Sequence, residues 1–168
     1  NGHEFFLRFE DGGKATGPLK IINDSEKHGS IVRFKADPEI FQETQEYDFD
    51  TLNARIRQLA FLNKSIRLVL CDEREAEPKR IEYKYDAGIR QYVEYLNKNK
   101  TPLHEEVVYV EGIEDGILAE IAMQYNDGYI PSIYSFCNNI NTMEGGTHED
   151  GFRLALTRII NAYAREQG

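Results

Sequence analysis

Tryptophan is absent from this chain, and methionine and cysteine occur twice each. The core must therefore rest on leucine, isoleucine, phenylalanine and tyrosine. Two cysteines, Cys71 and Cys137, are too few for a disulfide-stapled scaffold. Each lies in an apolar, strand-like run, which predicts buried free thiols in a reducing cytosol. Positive charge is also short. Lys and Arg number 20 against 29 Asp and Glu, a net charge of −9. That excludes a surface coated for nucleic acid and leaves room only for a local basic face. No apolar run approaches the ~20 residues that span a bilayer. No signal-peptide pattern is present either. The chain opens at Asn1 with no methionine and goes almost at once into a strand pattern. It reads as a piece excised from a longer protein.

What is present fits a soluble globular domain, or one domain with part of another. The length is 168 residues, 40% apolar and 29% charged. "HEFFLRFEDGG" reads as a strand entering a Gly-Gly turn, and "GPLKIIND" as a second strand. "GSIVRFKAD" reads as a third, with Ser30, Val32 and Phe34 on one face. Asp37-Pro38 breaks it.

From Asp48 the apolar spacing becomes helical: Phe49, Leu52, Ile56, Leu59 and Ala60 predict a helix to about Asn63. "SIRLVLCD" and "KRIEYKY" predict paired strands. "AGIRQYVEYLNKNKTP" predicts a second helix with the stripe Ile89, Tyr92, Val93 and Leu96. Three strands follow: "EEVVYVEG", "ILAEIAMQY" and, after the Asn126-Asp127-Gly128 turn, "IPSIYSFCNNI". Phe152, Ala155, Leu156, Ile159, Ile160 and Tyr163 then predict a long core-facing helix. The order is that of a mixed α/β (α+β) fold with antiparallel pairing, not a doubly wound parallel sheet.

The stretch "NNINTMEGGTHEDGF" concentrates glycines, a histidine and acids. Thr147 stands where the last helix begins, and Glu149 and Asp150 fall in its first turn. That predicts a Thr147 N-cap with acids suited to the helix dipole. The chemical readings are weaker. His148 and Glu149 are adjacent and point apart on a helix. A zinc-binding HExxH needs a second histidine where Phe152 stands. The glycines lack the Gly-Lys-Ser/Thr ending of a phosphate loop. No serine, cysteine or lysine shows a nucleophile motif with a nearby base. A metal hydrolase using His148, Glu149 and Asp150 stays open as a rival, as does a free-standing interaction domain.

"LAFLNKSIRLVLCDER", "YVEYLNKNKTPLHEE", "LAEIAMQYNDGY", "IYSFCNNINTMEGGTHEDGF" and "ALTRIINAYAR" together resemble one family, and the likeness runs in order from residue 1 to 168. They are similar to the B subunit of bacterial DNA gyrase, the ATPase subunit of type IIA topoisomerases. They are almost as similar to the corresponding subunit of topoisomerase IV. The resemblance implies that residues 1–36 are the last strands of a GHKL-type ATPase domain. Residues 37–168 would be the first, larger part of the transducer domain, a mixed fold like that of some ribosomal proteins. It implies a cytoplasmic parent that uses ATP and Mg²⁺, forms an ATP-dependent homodimer, works with the gyrase A subunit, and passes one DNA segment through another.

Few residues here match the family's sites. Ser30 stands where the family usually has a threonine that joins a water network around adenine. Val32 matches an apolar residue lining that pocket. Arg153 matches an arginine facing the cavity that receives the passing duplex, and Arg158, like it, lies off the apolar stripe of the helix. Cations there would touch phosphates without reading sequence. A Glu149–Arg153 i,i+4 pair is the plain structural alternative. The family's catalytic glutamate, its Mg²⁺-holding asparagine and its glycine-rich lid match nothing here, and neither does its phosphate-contacting lysine. The implied expectation is an ATPase and topoisomerase parent, with no catalytic residue, metal site or bound cofactor in this piece.

Overall fold

A computed structural model describes residues 2–168; Asn1, the first residue of the expected 1–36 segment, lies outside them. The chain divides into two compact units, Asn1–Phe49 and Asp50–Gly168. The secondary structure is mixed, with strands paired antiparallel in two-stranded ladders.

In the first unit, β1 (His3–Phe6) pairs with β4 (Lys20–Asp24), from His3↔Asp24 to Phe6↔Lys20. Between them β2 (Phe9–Glu10) and β3 (Lys14–Ala15) form a small tip hairpin. Asp11, Gly12 and Gly13 reverse it, all at positive φ, which is why two glycines sit there. The expected single strand "HEFFLRFE" is thus split at Leu7-Arg8.

The expected third strand is not formed. Residues 25–37 carry no regular structure, and Ile31 and Val32 are 93% and 80% exposed. Alternation assigns faces, but a strand exists only through a hydrogen-bonded neighbour, and this segment makes no ladder. Phe34 instead meets Tyr47 edge-on at 5.2 Å. After it, Asp37 turns the chain: its carbonyl accepts from Ile40 and Phe41, and its carboxylate from the Glu39 amide.

The second unit carries α1 (Phe49–Leu62), β5 (Leu68–Asp72), β6 (Lys79–Tyr83), α2 (Ile89–Leu96), β7 (Val108–Glu114), β8 (Ile117–Met123), β9 (Phe136–Cys137), β10 (Ile140–Asn141) and α3 (Thr147–Gln167). The predicted α1 and α2 fall where their stripes place them. β5 and β6 pair from Leu68↔Tyr83 to Asp72↔Lys79. β7 and β8 run from Val108↔Met123 to Glu114↔Ile117. Asp115 and Gly116, both at positive φ, make the two-residue turn.

The core gathers where α1 meets α2. Phe61 is 2% exposed. Its ring stacks on Tyr85 at 3.7 Å and on Tyr92 at 5.1 Å, and lies tilted to Tyr95 at 5.5 Å. Tyrosine hydroxyls that reach this cluster are satisfied from α1. Arg57 donates to Tyr83 and Tyr95, Gln58 donates to Tyr92, and Tyr83 donates to Asn53.

Three further expectations are corrected. "IPSIYSFCNNI" does not return as a long strand. Asn138 and Asn139, at φ 48° and 66°, fold Phe136–Cys137 back onto Ile140–Asn141; asparagine tolerates that conformation, so the turn forms locally. Cys71 and Cys137 are free but exposed rather than buried, because each points outward from a strand with one uncovered face. The stripe of α3 does not face a core: Ile159 and Tyr163 are 66% and 64% exposed. The spacing marks an apolar side, and nothing in this unit covers its far half.

Candidate functional site

The strongest concentration of polar contacts within the candidate stretch lies at the start of α3. It is assembled from the β9–β10 hairpin, the loop after it and the first turns of the helix. The hairpin is pinned to α1: Arg55 donates to the Asn139 carbonyl at 3.0 Å, and the Asn139 amide donates to Asn63 at 3.0 Å. At its base the Thr142 amide donates to the Ser135 carbonyl at 2.9 Å, and their hydroxyls lie 2.6 Å apart. Gly145, at φ 80°, donates to the Thr142 carbonyl and turns the chain toward the helix.

Thr147 is not the N-cap. Gly146 takes that place in extended conformation and caps with no side-chain bond, and its carbonyl accepts from Asp150. A Cβ at 146 would lie 2.8 Å from the His148 ring, which would have to shift to admit a larger residue there. Thr147 is carried one position inward, where its hydroxyl is past the capping position.

His148 and Glu149, expected to point apart, instead both reach the Ser135–Thr142 hydroxyl pair. The His148 ring reaches the Thr142 hydroxyl at 3.2 Å. Glu149 accepts from Arg153 Nε and Nη2 at 3.0 and 2.7 Å, and from the Ser135 hydroxyl at 2.8 Å. The Arg153 guanidinium, and then the Ser135 hydroxyl, hold its carboxyl below the usual glutamate range. A carboxylate so engaged is an anchor rather than a general acid. Among the described residues no three His, Cys, Asp or Glu side chains are grouped to hold a metal, which leaves the metal-hydrolase rival without a ligand set. Nor is any described helix long and apolar enough to cross a membrane.

The sequence-predicted residues fall into two places. Ser30 and Val32 are exposed in the irregular segment of the first unit. Arg153 and Arg158 are in the second unit on α3, Arg153 in its i,i+4 pair with Glu149 and Arg158 exposed. Ser135 escaped the sequence reading, since nothing marks a serine fourteen residues before its carboxylate. So did Lys64 and its partners. Lys64 Nζ bonds the Glu120 carboxylate and the Tyr109 hydroxyl, the latter at 2.7 Å, while the Arg90 guanidinium sits 4.3 Å over the Tyr109 ring. Glu120 and Tyr109 hold the Lys64 ammonium well above its ordinary range. The Glu120 carboxyl is lowered: partial burial opposes the shift, and bonds from Lys64 and Tyr109 outweigh it. The group ties the end of α1 to the β7–β8 hairpin.

Comparison with known proteins adds family context to this geometry. A sequence model described as DNA gyrase B matches residues 88–168. The chain is 53% identical over 166 residues to the DNA gyrase B subunit of Bacillus mycoides, covering 99% of this chain and 41% of that protein. It is 58% identical over 154 residues to the DNA gyrase B subunit of Bacillus cereus, covering 92% of this chain and 38% of that protein. Its fold superposes with a TM-score of 0.79 and 27% identity on the 43K ATPase domain of Thermus thermophilus gyrase B, solved in complex with an aminocoumarin. That match covers 99% of this chain and 45% of the other. The chain thus spans less than half the length of these relatives.

Proposed function

The chain belongs to the DNA gyrase B family, and on that premise we propose that it is the part of the gyrase B protein that links ATP binding and hydrolysis to DNA strand passage and negative supercoiling. The observation that carries this reading is 53% identity sustained across 99% of the chain. Similarity of that length constrains the whole surface, not one motif. On this reading residues 1–36 close the ATPase domain and residues 37–168 begin the transducer.

The joints of the second unit suit a relay. Lys64–Glu120 fastens α1 to the β7–β8 hairpin, and the amides of Asn97, Gln124 and Asn126 fasten the end of α2 to the exit of β8. Charged and amide contacts of this kind lock packed elements together, so a displacement of one is carried to the next.

In the parent the cofactors are ATP and Mg²⁺, and the partners are DNA, the gyrase A subunit and a second B subunit, in the cytoplasm. Ser30 and Val32 contribute to the edge of the adenine site. Arg153 and Arg158 face the cavity for the transported duplex, where Arg153 divides its charge between Glu149 and a phosphate. This segment supplies no base, metal ligand or phosphate clamp of its own, so it neither hydrolyses ATP nor binds it usefully by itself.

The test is an exchange. These 168 residues replace the matching segment of a bacterial gyrase B subunit, which is reconstituted with its A subunit. ATP-dependent negative supercoiling is the expected result. A folded chimera that hydrolyses ATP and binds DNA yet cannot supercoil would refute the coupling role. Micromolar ATP binding by the isolated chain in calorimetry would refute its inactivity.

A further inference from the structure

Residues 101–106 form a strap that runs from the end of α2 to the start of β7, lying along the exit of β8. Its first half is held by backbone. Leu103 donates to the Tyr125 carbonyl at 2.9 Å, Asp127 donates to the Thr101 carbonyl at 3.0 Å, and Pro102 bridges Asn126. Its second half is held through side chains. Gln124 donates to the carbonyls of His104 and Glu105 at 2.9 and 3.2 Å. The half-buried His104 ring lies edge-on to Tyr125 at 6.0 Å.

Both ring nitrogens of His104 meet backbone. Nδ1 is 2.7 Å from the Glu106 carbonyl oxygen, and Nε2 is 3.0 Å from the Tyr125 amide nitrogen. A carbonyl can only accept and an amide N–H can only donate. The two contacts therefore fix one form of the ring: neutral, with its proton on Nδ1. A proton added at Nε2 removes the acceptor and turns a charged N–H toward the Tyr125 N–H.

We propose that His104 is a proton-sensitive latch, whose neutral ring ties the 104–106 half of the strap to the exit of β8 and whose protonation frees the Tyr125 amide and loosens that half alone, leaving it on the Gln124 bonds. The charged groups around it do not replace the lost bond. Glu105 and Glu106 on the strap are exposed, and the ring's contact with Glu106 is to its backbone carbonyl. Asp127, beyond β8, is engaged by the Thr101 amide, and Lys100, after α2, points to Ser132 at 3.4 Å. The remaining neighbours from α2 and β8, Asn97 and Gln124, are neutral amides bonded to each other. Because β7 starts at Val108, the latch governs how firmly the strand's entry is held.

The experiment is amide hydrogen exchange by NMR on the ¹⁵N-labelled 168-residue chain at pH 7.5 and 5.5. Rates are divided by those of an unstructured chain, and ring nitrogen shifts report the tautomer. Expected are an Nδ1-protonated ring at pH 7.5 and a Tyr125 protection factor about fivefold or more lower at pH 5.5, the equilibrium worth of one ordinary hydrogen bond. Leu103 and Asp127 should hold their protection. His104→Phe should leave Tyr125 weakly protected at both pH values. An Nε2-protonated ring at pH 7.5, an unchanged Tyr125 factor, or a loss shared equally by Leu103 and Asp127 would overturn the latch. Should His104→Phe fail to fold, the unmodified chain's tautomer and three amides decide the matter alone.

Discussion

Replacing Phe61 with alanine should be the most damaging single change in the second unit. The ring is 2% exposed and is the largest side chain buried to this degree. It contacts three tyrosine rings at 3.7, 5.1 and 5.5 Å. Truncating a buried phenylalanine to alanine costs about 3–5 kcal/mol, of which the cavity left behind is a large share. Ring pairs contribute about 0.5–1.5 kcal/mol each beyond their buried area, so the upper part of that range applies. About 4 kcal/mol corresponds to a midpoint lowered by about 12–20 °C for a unit of this size. Phe61→Leu keeps much of the apolar bulk and loses the stacking, and should cost about 1–2 kcal/mol. The assay is urea unfolding followed by far-UV circular dichroism and tyrosine fluorescence, which is clean because the chain has ten tyrosines and no tryptophan. The order Ala worse than Leu worse than native is the signature of a stacked core. A loss under about 1 kcal/mol for Phe61→Ala would show that the cluster is not the core of this unit.

Glu149→Gln should lower the denaturation midpoint at pH 7. The folded carboxyl is held below its unfolded value, so its contribution is present above about pH 4.3 and fades as the pH falls further; the two proteins should therefore converge as the pH falls through the folded carboxyl's range, and a constant gap across pH would refute the ion pair's role. Gly88 has φ +57° and would place a Cβ 2.6 Å from Lys64 Cγ, so Gly88→Ala should cost about 1–3 kcal/mol by thermal melting, and a neutral outcome would show the conformation is not required. Thr147→Ala should shift stability by no more than about 0.5 kcal/mol, since Gly146 is the cap; a drop of about 1 kcal/mol or more would restore a capping role. If the proposed function holds, Arg153→Gln in a full-length gyrase B subunit should weaken DNA stimulation of ATP hydrolysis, most at low salt, where a phosphate contact is least screened; stimulation and supercoiling unchanged across salt would reduce the arginine to a partner of Glu149.

How far the sequence reached depends on whether the information was local. The two strands of the β7–β8 hairpin were legible because alternation shows within a short span; the exact register, with β7 running on to Glu114, came from the structure. Helices α1 and α2 were legible for the same reason. The Glu149–Arg153 pair was legible as an i,i+4 spacing. Ser135 was not, because its approach to Glu149 depends on Asn138-Asn139 folding the chain back, and only the three-dimensional turn brings residues 135 and 149 together. The failures share a form. Residues 30–35 alternate like a strand, and the stripe of α3 repeats like a core helix, yet the first joins no ladder among the described residues and the far half of the second stays exposed. A period states which side of an element is apolar. It does not contain the partner, which is a property of other parts of the fold. The family resemblance rested on something else again, long runs of identity in order. It located the chain within gyrase B without deciding what Arg153 touches, because identity of sequence is not geometry of contact. At that residue the structure adds one fact the motif lacked: the charge is already compensated by a carboxylate that Ser135 also holds. A phosphate that binds there would use the guanidinium donors Glu149 leaves open and share a charge already partly compensated, so a role for Arg153 in DNA passage depends on Glu149 as well as on the arginine itself.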